Sequence, residues 1–121
     1  MTIFTQDYPA LPGSSSAAAQ HAHTVVEERT PRRASDAYQL VSAMFTWALA
    51  RSHTASSLTL ITTVDHGRTR FELHFPNDQP GSVQLAAEQV SALADAYGER
   101  PSQRGRMIYA ELWMSSQAVT T

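Results

Sequence analysis

The hydrophobic pattern is densest in residues 37–50, AYQLVSAMFTWALA, a run with no charged residue. Ala37, Leu40, Val41, Met44, Phe45 and Ala48 recur at the three- and four-residue spacing of one helical face. Ser35 and Asp36 are N-capping residue types, so the pattern predicts a helix starting there. Tyr38, Trp47 and Leu49 lie off the main face, and the polar stripe of Gln39, Ser42 and Thr46 is narrow. Such a helix needs cover on two sides. One cover is its own sheet; the other is the N-terminal segment or a second protomer.

After the helix, residues 56–64 form a β-branched, apolar run, and residues 68–75 alternate. Phe71, Leu73 and Phe75 point one way; Arg70, Glu72 and His74 point the other. Asp65, His66 and Gly67 between the runs predict a hairpin whose glycine takes positive φ. Residues 76–81 are a loop by composition. A second helix is expected from the cap Ser82, burying Val83, Ala86, Val90, Leu93, Ala94 and Tyr97, with Gly98 as its left-handed stop and Pro101 beyond. Residues 106–114 read as a strand rather than a helix. Ile108, Ala110, Leu112 and Met114 occupy one face; Met107, Tyr109 and Trp113 occupy the other.

The N-terminal third is less regular. Residues 1–13 mix two prolines and a glycine with Ile3, Phe4, Tyr8 and Leu11, which suits a mobile terminus able to anchor on the body or on a neighbour. Residues 14–19, SSSAAA, have the composition of a linker. Residues 20–30 are open between a strand around Val25 and Val26 and a short helix capped by Ser16. Pro31 ends either. The expected organisation is a flexible or partner-docking arm over residues 1–34, a compact domain over 35–115 and a tail over 116–121. The expected fold is α+β: two helices packed on one face of a small antiparallel sheet, in the order α-β-β-α-β. It becomes the ferredoxin-like β-α-β-β-α-β if residues 24–28 form a strand.

Composition narrows the chemistry. The 121 residues suit one domain, and a net charge of −2 gives no global attraction to phosphate backbones or anionic membranes. Absence of cysteine excludes disulfides, thiolate nucleophiles and zinc-thiolate sites, and is compatible with a cytoplasmic protein. The longest apolar run is too short to span a bilayer, which takes about 20 residues. No secretory leader is visible: residues 1–20 lack Lys and Arg and have no continuous apolar segment.

Five histidines are present, and none falls in a metal-ligand spacing. His21 and His23 would share a face only on a strand. Asp65 and His66 look like half of a catalytic pair, but turn formation accounts for them. An enzyme using His66 or His74 is the weakest of the readings, since neither a nucleophile elbow nor a phosphate-binding glycine loop occurs. Neither cofactor nor metal is expected.

Two functional expectations remain. The first is a non-enzymatic protein-interaction module, homodimeric or bound to another protein through surplus apolar surface at Tyr38, Trp47, Leu49, Tyr109 and Trp113. The second is a single-stranded RNA or DNA binder on the open sheet face, using Arg68, Arg70, Arg104 and Arg106 beside the aromatic rings.

Overall fold

A computed structural model describes residues 1–53, 55–77, 84–103 and 105–114, together with the side chains of these residues except 84–87. Among the described residues, eight elements of regular structure follow one another: strand β1 (Thr2–Pro9), helix α1 (Pro12–Glu27), helix α2 (Ala34–Leu49), strands β2 (Ser57–Asp65) and β3 (Arg68–Phe75), helix α3 (Gln84–Leu93), and strands β4 (Ala96–Ser102) and β5 (Gly105–Trp113). A 3-10 turn at Pro31–Arg33 links α1 to α2. The strands make one sheet in the order β1-β2-β3-β5-β4, every neighbouring pair antiparallel.

The expected α+β class stands, with helices packed on one face of an antiparallel sheet. Alternation along the central strands makes this unavoidable. Leu58, Leu60, Thr62 and Val64 of β2, Phe71, Leu73 and Phe75 of β3, and Ile108, Ala110 and Leu112 of β5 are all buried on the helix side. Against them lies the predicted face of α2: Ala37, Leu40, Val41, Met44, Phe45 and Ala48 are each at most 1% exposed. The β2–β3 hairpin also forms as predicted, with Gly67 at φ 76°.

The element order departs from α-β-β-α-β, and the ferredoxin-like variant does not form. Val25 and Val26 are buried residues of α1, not a strand. The expected arm is instead built into the domain. β1 pairs along its whole length with β2, from Thr2 opposite Val64 to Pro9 opposite Ser57. In α1 the serine- and alanine-rich segment is helical. Pro12 stands in the first turn, where its missing N–H costs nothing. Ser14 Oγ donates to the Pro9 carbonyl at 2.6 Å. Ala18, Ala19, Ala22 and Val26 are fully buried, and their small side chains let α1 lie close along α2. The second side of α2 is therefore covered by the chain's own leading segment.

β4 is the other departure. Gly98 was expected to stop the helix, with Pro101 beyond it, but both are strand residues paired with β5. Proline is tolerated because β4 is an edge strand. Gly98 is required for a different reason: a Cβ there would meet the Tyr109 ring at 2.6 Å. In α3, Val90 is buried and Leu93 and Ala94 pack on the core as expected, whereas Tyr97 has moved into β4 and is exposed. Ser82, Val83, the side chain of Ala86 and the expected C-terminal tail lie outside the described residues.

Arg33 ties the helix layer to the sheet. Its guanidinium reaches Asp36 Oδ2 at 3.0 Å, Asp95 Oδ2 at 3.3 Å and the carbonyls of Trp113 and Leu93 at 3.2 and 3.4 Å. A single side chain thus joins the start of α2, the end of α3 and the end of β5. None of the described helices is long and apolar enough to cross a membrane.

Candidate interaction face on the open side of the sheet

The side of the sheet facing away from the helices is the site most fully built from the sequence pattern. Register sets its rows. Ile3, Thr63, Arg70, Glu111 and Ala96 lie side by side across the five strands; the next row is Thr5, Ile61, Glu72, Tyr109 and Gly98; the third is Asp7, Thr59, His74, Met107 and Arg100. Trp113 stands opposite Arg68 at one end. Directly opposed residues share a face, so the alternation read in β3 and β5 fixes this arrangement.

Glu111 is the hub and is only 6% exposed. Its Oε2 accepts from Arg70 Nη1 at 2.8 Å; its Oε1 accepts from Trp113 Nε1 at 2.9 Å and from Arg68 Nη1 at 3.4 Å. Arg70 Nε donates to Glu72 Oε2 at 2.8 Å, and Glu72 Oε1 lies 3.3 Å from His74 Nε2. Burial pushes the Glu111 carboxyl upward, but the hydrogen bonds from Trp113 and Arg70 and the charges of Arg68 and Arg70 outweigh it and hold the group below its ordinary range. Glu72 follows the same logic: burial raises it, while Arg70 and His74 bring it down further than burial lifts it. Burial likewise works against the Arg70 cation, yet Glu72 and Glu111 hold its pKa above the ordinary arginine value. Two arginines thus face two glutamates, and the cluster carries no net charge.

The aromatic rings are part of the same construction. The Arg70 guanidinium lies 4.1 Å from the centre of the Tyr109 ring and that of Arg100 lies 5.6 Å away. Tyr109 is consequently half-buried among cations and over Gly98, while Trp113 remains 45% exposed.

The other candidate residues are distributed differently. Trp47 is buried: its ring meets Phe75 edge-on at 5.4 Å and has Arg51 over it at 4.5 Å. It is core, not contact surface. Leu49 is half-buried and packs on the core. Tyr38 lines a groove of about 570 Å³ between α2 and α3, with Gln39, Ser42 and Thr46 as its polar wall. Arg106 shares the helix side of the sheet with Phe75 and bonds Glu99 at 2.9 Å, so it does not join Arg68 and Arg70. Arg104 lies outside the described residues.

The histidines are scattered. His21 and His23 are on α1, where an i, i+2 pair diverges. His21 meets Phe4 edge-on at 5.3 Å and is held below the ordinary imidazole pKa by burial. His66 is exposed in the hairpin, where its backbone N–H donates to Asp65 Oδ1 at 2.7 Å. No group of three metal-ligating side chains is assembled among the described residues. The residue that sequence reading missed is the hub itself: Glu111 interrupts an otherwise largely apolar strand, and it is the acceptor for three donors. No protein-family model and no curated protein matches the chain.

Proposed function

We propose that this is a non-enzymatic protein-interaction module whose contact surface is the open face of the sheet around Tyr109 and Trp113, and that it self-associates. The observation that carries the reading is a face with no described element over it, on which Arg68 and Arg70 are matched by Glu72 and Glu111 within the protein. A partner can settle on that cluster without desolvating an unmatched ion, which is the usual cost of burying charge. The exposed indole of Trp113 beside this neutral cluster offers the kind of aromatic anchor that dominates protein contacts. A cytoplasmic setting, as expected of a cysteine-free chain, is part of the proposal.

The reading is tested with a photo-reactive phenylalanine analogue at position 113 in cells producing the full chain, with position 66 as control. Protein adducts specific to position 113 are expected. Adducts to RNA, or oligonucleotide binding at low salt that quenches Trp113 and disappears in Arg68→Ala/Arg70→Ala, would replace the proposal with the single-strand reading.

A further inference from the structure

We infer that β1 is a self-pairing edge: two copies of this chain join antiparallel through it, making one ten-stranded sheet with a two-fold axis at Thr5. The inference rests on the interaction-module reading for its purpose but not for its geometry.

The backbone states which groups are available. Ala10 N donates to Ser56 O at 3.0 Å, in the same register that pairs β1 with β2. Directly opposed residues that exchange hydrogen bonds recur at every second position. Thr2, Phe4, Gln6 and Tyr8 therefore turn their N–H and C=O toward β2, and Ile3, Thr5 and Asp7 turn theirs outward. Pro9 comes next in the outward series. It has no N–H, and its carbonyl is already taken by Leu11 N and Ser14 Oγ.

These outward groups favour one register. An axis at Thr5 sets Thr5 opposite Thr5 of the second copy and Ile3 opposite its Asp7, twice, so each outward N–H and C=O of the three residues finds a partner. Shifting toward the C-terminus brings Pro9 into the ladder, where it cannot donate. Shifting the other way sets Asp7 opposite Met1, which lies outside β1. The Thr5 register also keeps the two Asp7 carboxylates apart, and each is engaged by Thr59 Oγ1 at 2.6 Å within its own copy.

The side chains support a second copy as the occupant. Six large hydrophobic side chains are exposed among the described residues, and four of them, Met1, Ile3, Phe4 and Leu11, lie on or at the ends of β1. Asp7 is the single charged side chain from Thr2 to Val26. Proteins blunt exposed edges with lysine, proline or bulges; β1 has none of these before Pro9, whereas the opposite edge strand carries Glu99, Arg100 and Pro101. An edge whose one charge, Asp7, is already bonded by Thr59 within its own copy has little to offer a charged partner and matches a copy of itself. Pairing at this edge would also run the two open faces into one continuous surface.

Sedimentation equilibrium and amide exchange on the full chain test this, with Thr5→Pro and Thr5→Lys as variants. The wild type should sediment at twice the 13.3 kDa chain mass, and the Ile3, Thr5 and Asp7 amides should gain protection as concentration rises. Thr5→Pro removes an N–H that β2 does not use, and Thr5→Lys sets two ammonium groups face to face. Thr5→Pro should weaken the dimer roughly thirtyfold, the worth of the two central hydrogen bonds, and Thr5→Lys should weaken it by like-charge repulsion, both with the circular dichroism unchanged. A monomer with those three amides exchanging freely would overturn the inference. So would a dimer that survives both variants; one lost in Trp113→Ser instead would place the contact on the open face. Edge pairing without partner adducts at position 113 would sink the open-face reading and leave this one standing.

Discussion

Replacing Glu111 by Gln isolates the hub of the open face with almost no change in shape. The two carboxylate oxygens serve different donors, Oε2 taking Arg70 and Oε1 taking the Trp113 indole. A carboxamide offers one oxygen and one N–H₂, so whichever way it turns, one donor faces another donor. A hydrogen bond to a charged group is worth about 1.5–3 kcal/mol net. Losing one and weakening the other gives an expected destabilisation of about 2–3 kcal/mol at pH 7. The Arg68 contact adds little, because it is long and its side chain is 54% exposed. The melting temperature should fall by roughly 8–12 °C. The pH dependence separates this cause from simple misfit. Glu111 has a folded pKa below its unfolded one, so its contribution is complete above the unfolded carboxylate range near about 4.3 and is lost as pH falls through the folded value. Below both, the wild type carries a neutral group as the variant does. Urea unfolding followed by circular dichroism from pH 7 down to about pH 2 should show the gap between the two proteins closing to a few tenths of a kcal/mol. A gap that stays constant with pH, or a variant more stable than wild type at pH 7, would refute the assignment of Glu111 as a stabilising ionised acceptor.

Other expectations follow from single contacts. Burial lowers the His21 pKa, so the unfolded chain takes the proton first. Its contribution to stability is full above about pH 6.5 and declines as pH falls from there toward the folded value; the urea midpoint of His21→Gln should vary less between pH 7.5 and 5 than that of wild type. Gly98→Ala drives a methyl into the Tyr109 ring and should cost about 1–3 kcal/mol, and Tyr109→Ala in the same chain should recover part of that loss, as a double-mutant cycle would measure. Arg33→Ala removes the joint between α2, α3 and β5 and should cost about 1–3 kcal/mol, with amides at the ends of α3 and β5 exchanging faster than the rest of the sheet.

The central part of the fold was legible because its periods are long and unmixed. Period two along β3 and β5, with the 3.6-residue period of α2, fixed which side chains meet in the core and which line the open face. The elements that escaped share a different property: their residues carry two meanings. In α1 the SSSAAA run has linker composition, but alanine is also the strongest helix former, and its small size is what a close helix–helix contact needs. Over residues 1–13, two prolines and a glycine suggested a mobile terminus, although Pro9 at the outward position of an edge strand breaks nothing. In β4, Gly98 and Pro101 resembled a helix stop, and the reason for the glycine, an aromatic ring from β5 lying over it, is a tertiary contact invisible along the chain. Trp47 was misplaced for a related reason. Its position off the main face of α2 implied a second cover, and Phe75 with Arg51 supplies that cover within the domain.

The same contacts weigh the two functional readings against each other. A surface that grips phosphate needs guanidinium groups free to fork onto an anion, and a surface that stacks bases needs open ring faces. Here Arg70 is bound on two sides by Glu72 and Glu111 and lies against Tyr109, which also has Arg100 nearby. A phosphate reaching Arg70 would have to displace Glu111, a carboxylate held by three donors and nearly out of solvent. That exchange swaps one anion for another at the cost of a buried charge left unmatched. A protein surface requires no such exchange, because it can lie across a cluster that is already neutral and anchor on Trp113. The pairing of charges within the sheet, more than the count of arginines, is what favours the proposed protein contact over a nucleic-acid one.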